Sequence, residues 1–537
     1  MKSSYFNYII TSIATASLFS SSSYAETTKT EEVKRPNIIW LFSDDHSHNA
    51  ISAYEGRLAE TAPTPNIDRL AKQGMRFDRS YVANSICGPA RACILTGMHS
   101  HNNGVYDNST KKGTIDYNKI TTFPQLLQKS GYQTALFGKW HLKVAPQGFD
   151  DWAVLPGQGL YYNTELYLPD SSNDDGRKKV TFKGQHSTKL IMDLTIKHLD
   201  EAKKKSDPFM VMCQFKAPHR NWLAQPDLVD YYSKTTFPEP DTLFDDYATR
   251  GIAAKEQTMS LANDFKGTDM KLQNTSYDVA NAGYQKESGE LGDKMYQDHL
   301  KYRSVFAKRQ QQYDQLKDNP KALTRWKYQV YMQDYLASIK GVDEQVGRLL
   351  DYLEANDMLD NTIIAYSSDQ SFYLGEHGWY DKRFMYEESF RTPLIIQWPG
   401  TIEPNTVNTD LVQNIDIAPT LLDVAKVTIP KNMDGESLTP ILKQGLAEWR
   451  KSLYYHYYQF PGTHDVRRHE GVFDGRNKLI RFFGKKVPNG EYFEFYDLEK
   501  DPKEINNLYD NSAYSNQIEK SKAELQRLRV KYKVPNK

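Results

Sequence analysis

The segment Cys87-Gly88-Pro89-Ala90-Arg91 places a thiol and a cation on either side of a proline. Proline is well suited to the first turn of a helix, where its missing N–H group costs nothing. A helix that begins here would offer free N–H groups and the positive end of its dipole to an anion held against residue 87. The residues therefore predict an anion-binding helix start with a reactive side chain at position 87.

Charged and polar side chains also follow four short apolar runs, each typical of a buried strand. Ligands of parallel sheets bind beyond the carboxyl ends of the strands, so groups at four such ends would share one site. One coincidence would mean little, but four of them predict a functional site. The runs and the residues after them are 37–42 with Asp44, Asp45 and His46; 133–137 with Lys139, Trp140 and His141; 208–215 with Pro218, His219 and Arg220; and 362–366 with Asp369 and Gln370.

Helical patterns lie between these runs, at residues 66–74, 123–130 and 328–353. Alternation of strands and helices predicts an α/β fold in which a large, mostly parallel sheet is sandwiched by helices. Residues 225–325 are polar and lack a clear strand pattern, so we expect helices and loops inserted over the sheet there.

The sequence changes in character after residue 432. We predict a larger domain of residues 26–445 and a smaller C-terminal α+β domain of residues 446–537, and 537 residues suffice for two such cores. The patterns behind the smaller domain are antiparallel strands at 453–458, 471–473 and 478–483 and a charged amphipathic helix at 516–532.

Charge composition restricts the partners. Lysine plus arginine equals aspartate plus glutamate, at 68 each, so the formal net charge is zero. No overall field then favours nucleic acid or an anionic membrane, and we expect neither as a partner. Any bound anion must be held by a local site.

The first 25 residues are predicted to be a signal peptide. Lys2 precedes an apolar stretch over residues 5–19, and small residues end the segment at Ala25. The stretch is too short and too rich in serine to span a bilayer, and no cysteine follows it, so we expect no membrane anchor. The mature protein is predicted to begin near Glu26 and to be periplasmic or secreted.

Cysteine usage is unusual for an exported chain. The sequence contains three cysteines, Cys87, Cys93 and Cys213, and an odd number cannot all form disulfides within the chain. Cys93 and Cys213 lie in apolar runs, and we expect them to be buried free thiols. Cys87 has a different sequence context.

The full string CGPARACILTG from residue 87 resembles the signature of type I sulfatases, which belong to the alkaline phosphatase-like superfamily. Ala90 stands where the family usually has serine, and Ser371 stands where glycine usually follows the acid–amide pair. We expect the first departure to be harmless, because Cys87, Pro89 and Arg91 are intact, and the second to shift the local turn slightly. The resemblance covers nearly the whole mature chain, through RPNIIWLFSDDH, TPNIDRLAKQGMRFDRSYV, GYQTALFGKWHL, KAPHR, SSDQSFYLGEHGWYDKRFMYEESFRTPLIIQWPG and FYDLEKDPKEINNL.

This resemblance implies two cofactors. A maturation enzyme would oxidise Cys87 to formylglycine (3-oxoalanine). Calcium takes carboxylate and amide oxygens and needs neither sulfur nor imidazole, so the implied ligands are chemically consistent. The plainer interpretation, in which Asp44 and Asp45 only cap a helix, fits either residue alone but not the whole set. One calcium ion would be bound by Asp44, Asp45, Asp369, Gln370 and an oxygen of the modified residue 87.

The implied reaction is hydrolysis of a sulfate ester. A hydrated aldehyde at residue 87 would provide the attacking hydroxyl, while Arg91, Lys139 and Lys382 neutralise the sulfuryl oxygens. The family pattern assigns protonation of the leaving sugar oxygen to His219.

His141 is the expected base that expels sulfate from residue 87. Lys139 and His141 flank Trp140 in a segment that we expect to be extended, so that both side chains point to one side.

A sulfated oligo- or polysaccharide is the expected substrate. Resemblance to bacterial polysaccharide-degrading sulfatases indicates an algal polysaccharide such as ulvan, with a glycosaminoglycan as the second choice. Rings and cations suited to a charged sugar cluster in the C-terminal domain, where the candidate substrate-binding residues are His464, Arg467, Arg468 and His469.

Two other functions fit parts of the pattern. A phosphatase or phosphonate hydrolase of the same superfamily would need a serine or threonine nucleophile and usually two zinc ions, whose histidine-rich ligands are not apparent. A calcium-stabilised carbohydrate-binding protein without activity would not need an aldehyde precursor at Cys87.

Overall fold

A computed structural model describes residues 35–273, 289–445 and 448–536. The predicted signal peptide and the start of the mature chain lie outside the described residues, as do residues 446–447 at the predicted domain boundary. The strands are β1 Asn37–Ser43, β2 Met75–Phe77, β3 Ser80–Tyr81, β4 Gln133–Lys139, β5 Asp151–Leu155, β6 Tyr162–Pro169, β7 Arg177–His186, β8 Phe209–Gln214, β9 Thr362–Ser368, β10 Leu394–Gln397, β11 Thr406–Asn408, β12 Val412–Gln413, β13 Leu453–Tyr457, β14 His469–Phe473, β15 Asn477–Phe483 and β16 Glu491–Asp497.

Ten of these strands form one large sheet in the order β11-β2-β10-β9-β1-β8-β4-β5-β6-β7. The five central strands, from β9 to β5, run parallel. Antiparallel pairings lie toward both edges, at β10 on one side and at β6 and β7 on the other. The predicted α/β fold with a large, mostly parallel sheet is confirmed, and all four predicted central strands are present.

Helices cover both faces of this sheet. Side chains of β1 alternate between two cores, since Ile39 and Leu41 pack on one face and Trp40 and Phe42 on the other. Helices α1, α5 and α9 cover the first core, and α2, α4 and α11 cover the second. The helices are α1 Pro65–Lys72, α2 Cys87–Thr96, α3 Ser100–Asn103, α4 Phe123–Lys129, α5 Ser187–Ala202, α6 Ile252–Glu256, α7 Gly267–Met270, α8 Glu290–Leu316, α9 Pro320–Ala355, α10 Glu387–Phe390, α11 Ile417–Val424, α12 Thr439–Leu442 and α13 Ser515–Lys531.

The C-terminal part is a four-stranded antiparallel sheet in the order β13-β14-β15-β16. Helix α13 packs on one face, where Leu525 and Leu528 meet Leu479. The other face packs against the large domain, with Phe482 in the same core as Trp379 and Phe384. The predicted α+β architecture of the C-terminal part is present, although the exact domain boundary between residues 445 and 446 stays a prediction.

The polar region 225–325 contains the short helices α6 and α7 and the whole of the long helix α8. Within its described residues, 225–273 and 289–325, there is no strand. Over the described ranges, none of the helices combines the length and the apolar character needed to cross a bilayer.

Candidate active site

Strand pairing brings the predicted calcium ligands together. Strands β1 and β9 are parallel neighbours with Ser43 opposite Ser368, so the acidic pair after β1 and the acid–amide pair after β9 leave the sheet side by side. The backbone N–H of Asp45 donates a hydrogen bond to Oδ1 of Asp369 at 3.0 Å. Residues more than 300 positions apart in the chain thus form one cluster.

Oxygen atoms of this cluster are arranged for a cation. Carboxylate oxygens of Asp44, Asp45 and Asp369 lie within 4.8 Å of one another, and all three residues are buried. Oδ1 of Asp44 and Oε1 of Gln370 are buried without a hydrogen-bond partner. Buried carboxylates and orphaned oxygens are costly unless a cation balances them, and an oxygen-only set suits calcium. The donor set therefore fits the implied ion.

Cys87 is the first residue of helix α2, as the sequence predicted. Its Sγ atom lies 3.8 Å from Nε2 of Gln370, so the thiol faces the acidic cluster. Burial raises the pKa of the Cys87 thiol to about 12, although Lys139 and Lys382 oppose that shift. A thiol with such a pKa stays protonated and is a poor nucleophile, so the unmodified side chain is unsuited to attack a sulfate ester. Cys93 and Cys213 are buried and free, as expected.

Two lysines contact the acidic cluster from different sides. Nζ of Lys382 donates to both carboxylate oxygens of Asp45 at 2.7 Å. Nζ of Lys139 contacts Oδ2 of Asp44 and donates to Oε1 of Gln158 at 2.7 Å. Both ammonium groups are buried, so they act in a low-dielectric environment where their charge is strong.

Arg91 is positioned by α2 so that its guanidinium lies under the same cluster. Nη1 donates to the carbonyl oxygen of Lys139 at 2.8 Å and to Oε1 of Gln214 at 2.7 Å. Nη2 lies 3.5 Å from Oδ1 of Asp44 and also contacts Asp369. The N–H groups of Arg91 therefore donate to other groups of the protein.

The surrounding charges pull the carboxyl pKa values apart. Burial raises the pKa of Asp44, but Lys139, His219 and Arg91 together hold it well below its ordinary value. Burial and the charge of Asp44 raise the pKa of Asp369 to about 7, against the opposing charge of Arg91. Strongly perturbed groups in one cluster are typical of functional sites.

His219 also reaches the cluster, with Nε2 3.7 Å from Oδ2 of Asp45. Nδ1 lies 2.6 Å from the carbonyl oxygen of Arg220, to which it must donate, so Nε2 is the ring atom that faces the site. Burial and then the charge of Lys139 hold the pKa of His219 well below its ordinary value. The ring is therefore neutral in this structure and presents the lone pair of Nε2 to the site.

His141 is near Lys139 but not through the expected geometry. Strand β4 ends at Lys139, and His141 has φ of +67°, so the predicted extended segment is wrong. The left-handed turn still directs the ring inward, since the residue is 5% exposed. Burial, followed by the charges of Lys139 and Lys143, holds its pKa well below the ordinary value, and Nδ1 is buried without a hydrogen-bond partner.

The four C-terminal candidates occupy different environments. His464 lies next to the site, with Nε2 3.1 Å from Oδ2 of Asp381. The side chain of Arg467 is fully buried and paired with Glu256 and Asp465, and His469 packs among aromatic rings. Arg468 is half-buried and lines a separate cavity. The structure does not bring these four side chains into one cluster.

Sequence reasoning missed two residues at the site. Gln158, on the loop between β5 and β6, accepts the hydrogen bond from Lys139, and its surroundings in the sequence give no motif. The hydroxyl of Tyr335 on α9 donates to the carbonyl oxygen of Asp45 at 2.7 Å. Tyr335 lies within a helical core pattern, which hides its polar role.

Comparison with known families agrees with this geometry. The Sulfatase family model matches residues 36–427 of the chain. The chain belongs to the sulfatase family. A second model, the C-terminal part of N-sulphoglucosamine sulphohydrolase, matches residues 375–531 and so includes the antiparallel sheet. The resemblance inferred from the CGPARACILTG string is confirmed, and this sulfatase is an enzyme that hydrolyses sulfuric esters.

Similar sulfatases span most of the chain. An N-acetylglucosamine-6-O-sulfatase of Bacteroides thetaiotaomicron is 45% identical over 520 residues, which cover 94% of this chain and 88% of that protein. The human N-acetylglucosamine-6-sulfatase is 26% identical over 428 residues, 76% of this chain and 65% of that protein. A solved structure of a protein in complex with its substrate, D-glucosamine-2-N,6-O-disulfate, superposes on this chain with a TM-score of 0.84 and 43% sequence identity. The match covers 93% of this chain and 98% of that chain.

The substrates stated for these relatives are sulfated glucosamines. The bacterial and human enzymes are named for the 6-sulfate of N-acetylglucosamine, and the solved complex contains D-glucosamine-2-N,6-O-disulfate.

Proposed function

We propose that this sulfatase removes the 6-O-sulfate of a glucosamine residue in a sulfated glycan, using a formylglycine derived from Cys87 and one calcium ion. The observation that carries the proposal is the placement of Cys87 Sγ 3.8 Å from Gln370, at a helix start that faces a cluster of three buried carboxylates. Support for the 6-O position comes from the relatives of 45% and 43% identity.

Asp44, Asp45, Asp369 and Gln370 would hold the calcium ion, together with an oxygen of the modified residue 87. When present, the hydrated aldehyde supplies a nucleophilic hydroxyl and calcium supplies Lewis acidity toward the sulfate ester. Lys139 and Lys382 would neutralise the sulfuryl oxygens, because their ammonium groups are buried on either side of the acidic cluster. The water-poor surroundings make each of these charges more effective than in solution.

His219 would protonate the leaving sugar oxygen. Its Nδ1 is committed to the carbonyl oxygen of Arg220, so Nε2 is the atom that can carry the transferred proton. An anionic sulfate bound nearby would favour the protonated ring, opposing the effect of Lys139. His141 would accept the proton when sulfate leaves residue 87, since its neutral ring has a free Nδ1.

Among alternative functions, a two-zinc phosphatase has less support. Within the described residues, the groups of His, Cys, Asp and Glu that could hold a metal both include Asp44, so they describe one centre. A binding protein without activity would not need the buried lysines and the histidine beside Cys87. Ulvan stays a prediction that the substrate panel below can test.

The decisive experiment measures sulfate release from 6-O-sulfated N-acetylglucosamine and from a sulfated ulvan oligosaccharide, and phosphate release from an aryl phosphate. We expect hydrolysis of the first substrate, by wild-type protein produced with a formylglycine-generating enzyme and not by Cys87→Ala. The tryptic peptide of residue 87 should carry the mass of the aldehyde. Full activity with only the intact thiol would contradict the mechanism, and preferential release of phosphate would contradict the reaction class.

Maturation and location are part of the same proposal. Cys87, Pro89 and Arg91 would be read by the maturation enzyme before the chain closes, because every residue of α2 is buried in the folded protein. The N-terminal pattern favours export to the periplasm or the medium, which fractionation of producing cells would test.

A further inference from the structure

A cavity of about 230 Å³ lies between the C-terminal sheet and the loop that follows α3. Enclosed sites for whole small ligands usually measure roughly 300–1,000 Å³, so this space suits a pendant group of a larger ligand. Val534 and Pro535 close one side of it. The cavity is also lined by Tyr106, Asp107, Lys112, His456, Tyr458 and Arg468.

Arg468 is held in the wall of this cavity by two aromatic rings. Its guanidinium lies over Tyr458, with 5.4 Å to the ring centroid, and over Phe483, with 4.9 Å. The Nε–H group donates to Nε2 of His456 at 3.3 Å. The side chain is therefore fixed through Nε and through its planar faces, which leaves the two terminal nitrogens for a ligand.

The partners of His456 explain why it accepts this bond. The hydroxyl of Tyr454 donates to Oε2 of Glu470 at 2.7 Å, so its oxygen accepts from Nδ1 of His456 at 2.9 Å. The proton of the neutral ring is then on Nδ1, and Nε2 is free to accept. Burial and the charge of Arg468 hold the pKa of His456 well below its ordinary value, in agreement with a neutral ring.

The positive charges of the cavity are not neutralised by the protein. Across the described ranges, no carboxylate oxygen lies within 4.0 Å of Arg468 or Lys112, whereas the adjacent Arg467 pairs with Glu256. Asp107 is the carboxylate in the wall, and its Oδ1 accepts from the backbone N–H of Ser109 at 2.8 Å. Two cations therefore face one carboxylate, which favours an anionic ligand.

The cavity is linked to the catalytic residue through one loop. Asn108, next to Asp107, accepts a hydrogen bond at Oδ1 from the backbone N–H of Gly88 at 3.0 Å. Gly88 directly follows Cys87. The same loop thus contributes Asp107 to the cavity wall and contacts the backbone next to residue 87.

We propose that this cavity binds a second acidic group of the carbohydrate, a sulfate or a carboxylate, through Arg468 and Lys112. The inference rests on the proposed function of the catalytic site. Tyr106 and Tyr458 also line the cavity and are half-buried, so their side chains can contact the attached sugar. The second group can belong to the same sugar or to its neighbour, and the shared chemistry is that of an oxyanion which accepts hydrogen bonds from a guanidinium.

The test compares kcat/KM for three substrates. They are 6-O-sulfated N-acetylglucosamine, glucosamine sulfated at 2-N and 6-O, and a disaccharide that joins a uronic acid to 6-O-sulfated N-acetylglucosamine. We expect a second acidic group, on the sugar or on its neighbour, to raise kcat/KM of the wild type by roughly tenfold or more. Arg468→Gln and Lys112→Gln should each remove most of this advantage, and rising salt should weaken it in the wild type.

Arg481→Gln is the matched control. Arg481 also lies over Phe483, at 4.9 Å, but its charge is neutralised by Glu470 and Glu491. The control should keep the wild-type ratio between substrates. Equal losses on all three substrates in Arg468→Gln and Lys112→Gln, or no advantage of a second acidic group, would overturn the inference. Lys112 is exposed, so Lys112→Gln should fold even if Arg468→Gln does not. Failure of the wild type on the singly sulfated sugar would instead count against the proposed function.

Discussion

The guanidinium of Arg91 donates two hydrogen bonds to Oδ2 of Asp369, from Nε at 3.1 Å and from Nη2 at 3.0 Å. Asp369 is thereby fixed in the orientation that leaves its other oxygen toward Asp45. Arg91 was expected to neutralise sulfuryl oxygens, but its donors are used by Asp369, Gln214 and the backbone. We therefore infer that Arg91 mainly positions Asp369, a carboxylate of the proposed calcium site.

Replacing Arg91 by lysine tests this positioning role. Lysine keeps the charge but cannot make the paired hydrogen bonds, so Arg91→Lys should weaken calcium binding by roughly 10- to 100-fold. Both proteins should be made without the maturation enzyme, because Arg91 belongs to the motif that this enzyme reads and its replacement would also change the conversion of Cys87. Calcium titration of the two unconverted proteins then compares their metal affinity alone. The matched control is Arg76→Lys, since Arg76 similarly bonds Asp78 away from the site, at 2.8 Å. Unaltered calcium affinity in Arg91→Lys would refute the positioning role.

Asp44→Asn should remove one negative charge from the proposed calcium site while preserving its shape. Lys139 and Arg91 would then lack part of their counter-charge, and calcium affinity should fall by roughly 100-fold or more, with activity. Activity of the variant and of chelator-treated wild type should recover only at raised calcium. Asp78→Asn serves as the control, because this carboxylate pairs with Arg76 outside the site. Undiminished turnover after chelation would rule out a calcium requirement.

His219→Ala should affect two ester classes differently. A sugar alkoxide is a poor leaving group, so loss of its proton donor should slow cleavage of the sugar sulfate by roughly 10²–10⁴-fold. An aryl sulfate releases a stabilised phenoxide and should be slowed much less. Steady-state kinetics on both esters decide the question, with His198→Ala as a control, because His198 pairs with Asp151 elsewhere. Equal losses on the two esters would falsify the acid role of His219.

Lys478 provides a test of how the C-terminal sheet is held. Its ammonium group is fully buried between Glu387, at the start of α10, and Glu504, with 2.8 Å to each carboxylate. Lys478→Met leaves buried carboxylates unpaired and should lower the free energy of unfolding by about 3–5 kcal/mol. Urea unfolding followed by circular dichroism measures this loss, and the exposed Lys485→Met should be neutral.

The stability loss in Lys478→Met should depend on pH. Burial raises the pKa of Glu504 to about 7 even with Lys478 present, so the folded state favours its protonated form. Such a group costs stability as the pH rises through its folded pKa, since the unfolded carboxyl is already ionised. Below about pH 7, Glu504 is protonated in the folded state of both proteins, so the deficit of the variant should grow mainly above pH 7, where Glu504 ionises in the wild type beside Lys478 but not in the variant. A deficit that shrinks as the pH rises above 7 would contradict the assignment.

The central strands and the cluster of acidic residues at their ends were predictable because both leave a strong sequence signal. Apolar runs such as 37–42 identify strands that are buried on both faces. Strands β7 and β16 were missed because neither is a continuous apolar run. Much of Arg177–His186 alternates between more and less buried residues and carries charges, and Glu491–Asp497 begins exposed and contains three acidic residues. The turn at His141 was also missed, because a positive φ at a non-glycine residue leaves no mark in the residue type.

Contacts between distant segments could not be derived from one chain. The bond from Lys139 to Gln158 depends on the loop after β5, and the pair of Lys382 with Asp45 joins residues 337 positions apart. Spacing identified the residue types of the site, but it did not reveal which donor each carboxylate uses.

The parallel register of Ser43 with Ser368 has a consequence for how the chain holds together. Gln370 and Asp45 stand 325 residues apart, so a bound ion would tie the two ends of the large domain to each other. An ion that binds only the completed sheet stabilises it by mass action. Calcium would then stabilise the large domain as a whole, and the melting temperature should rise with calcium concentration even in Cys87→Ala, which we expect to be inactive.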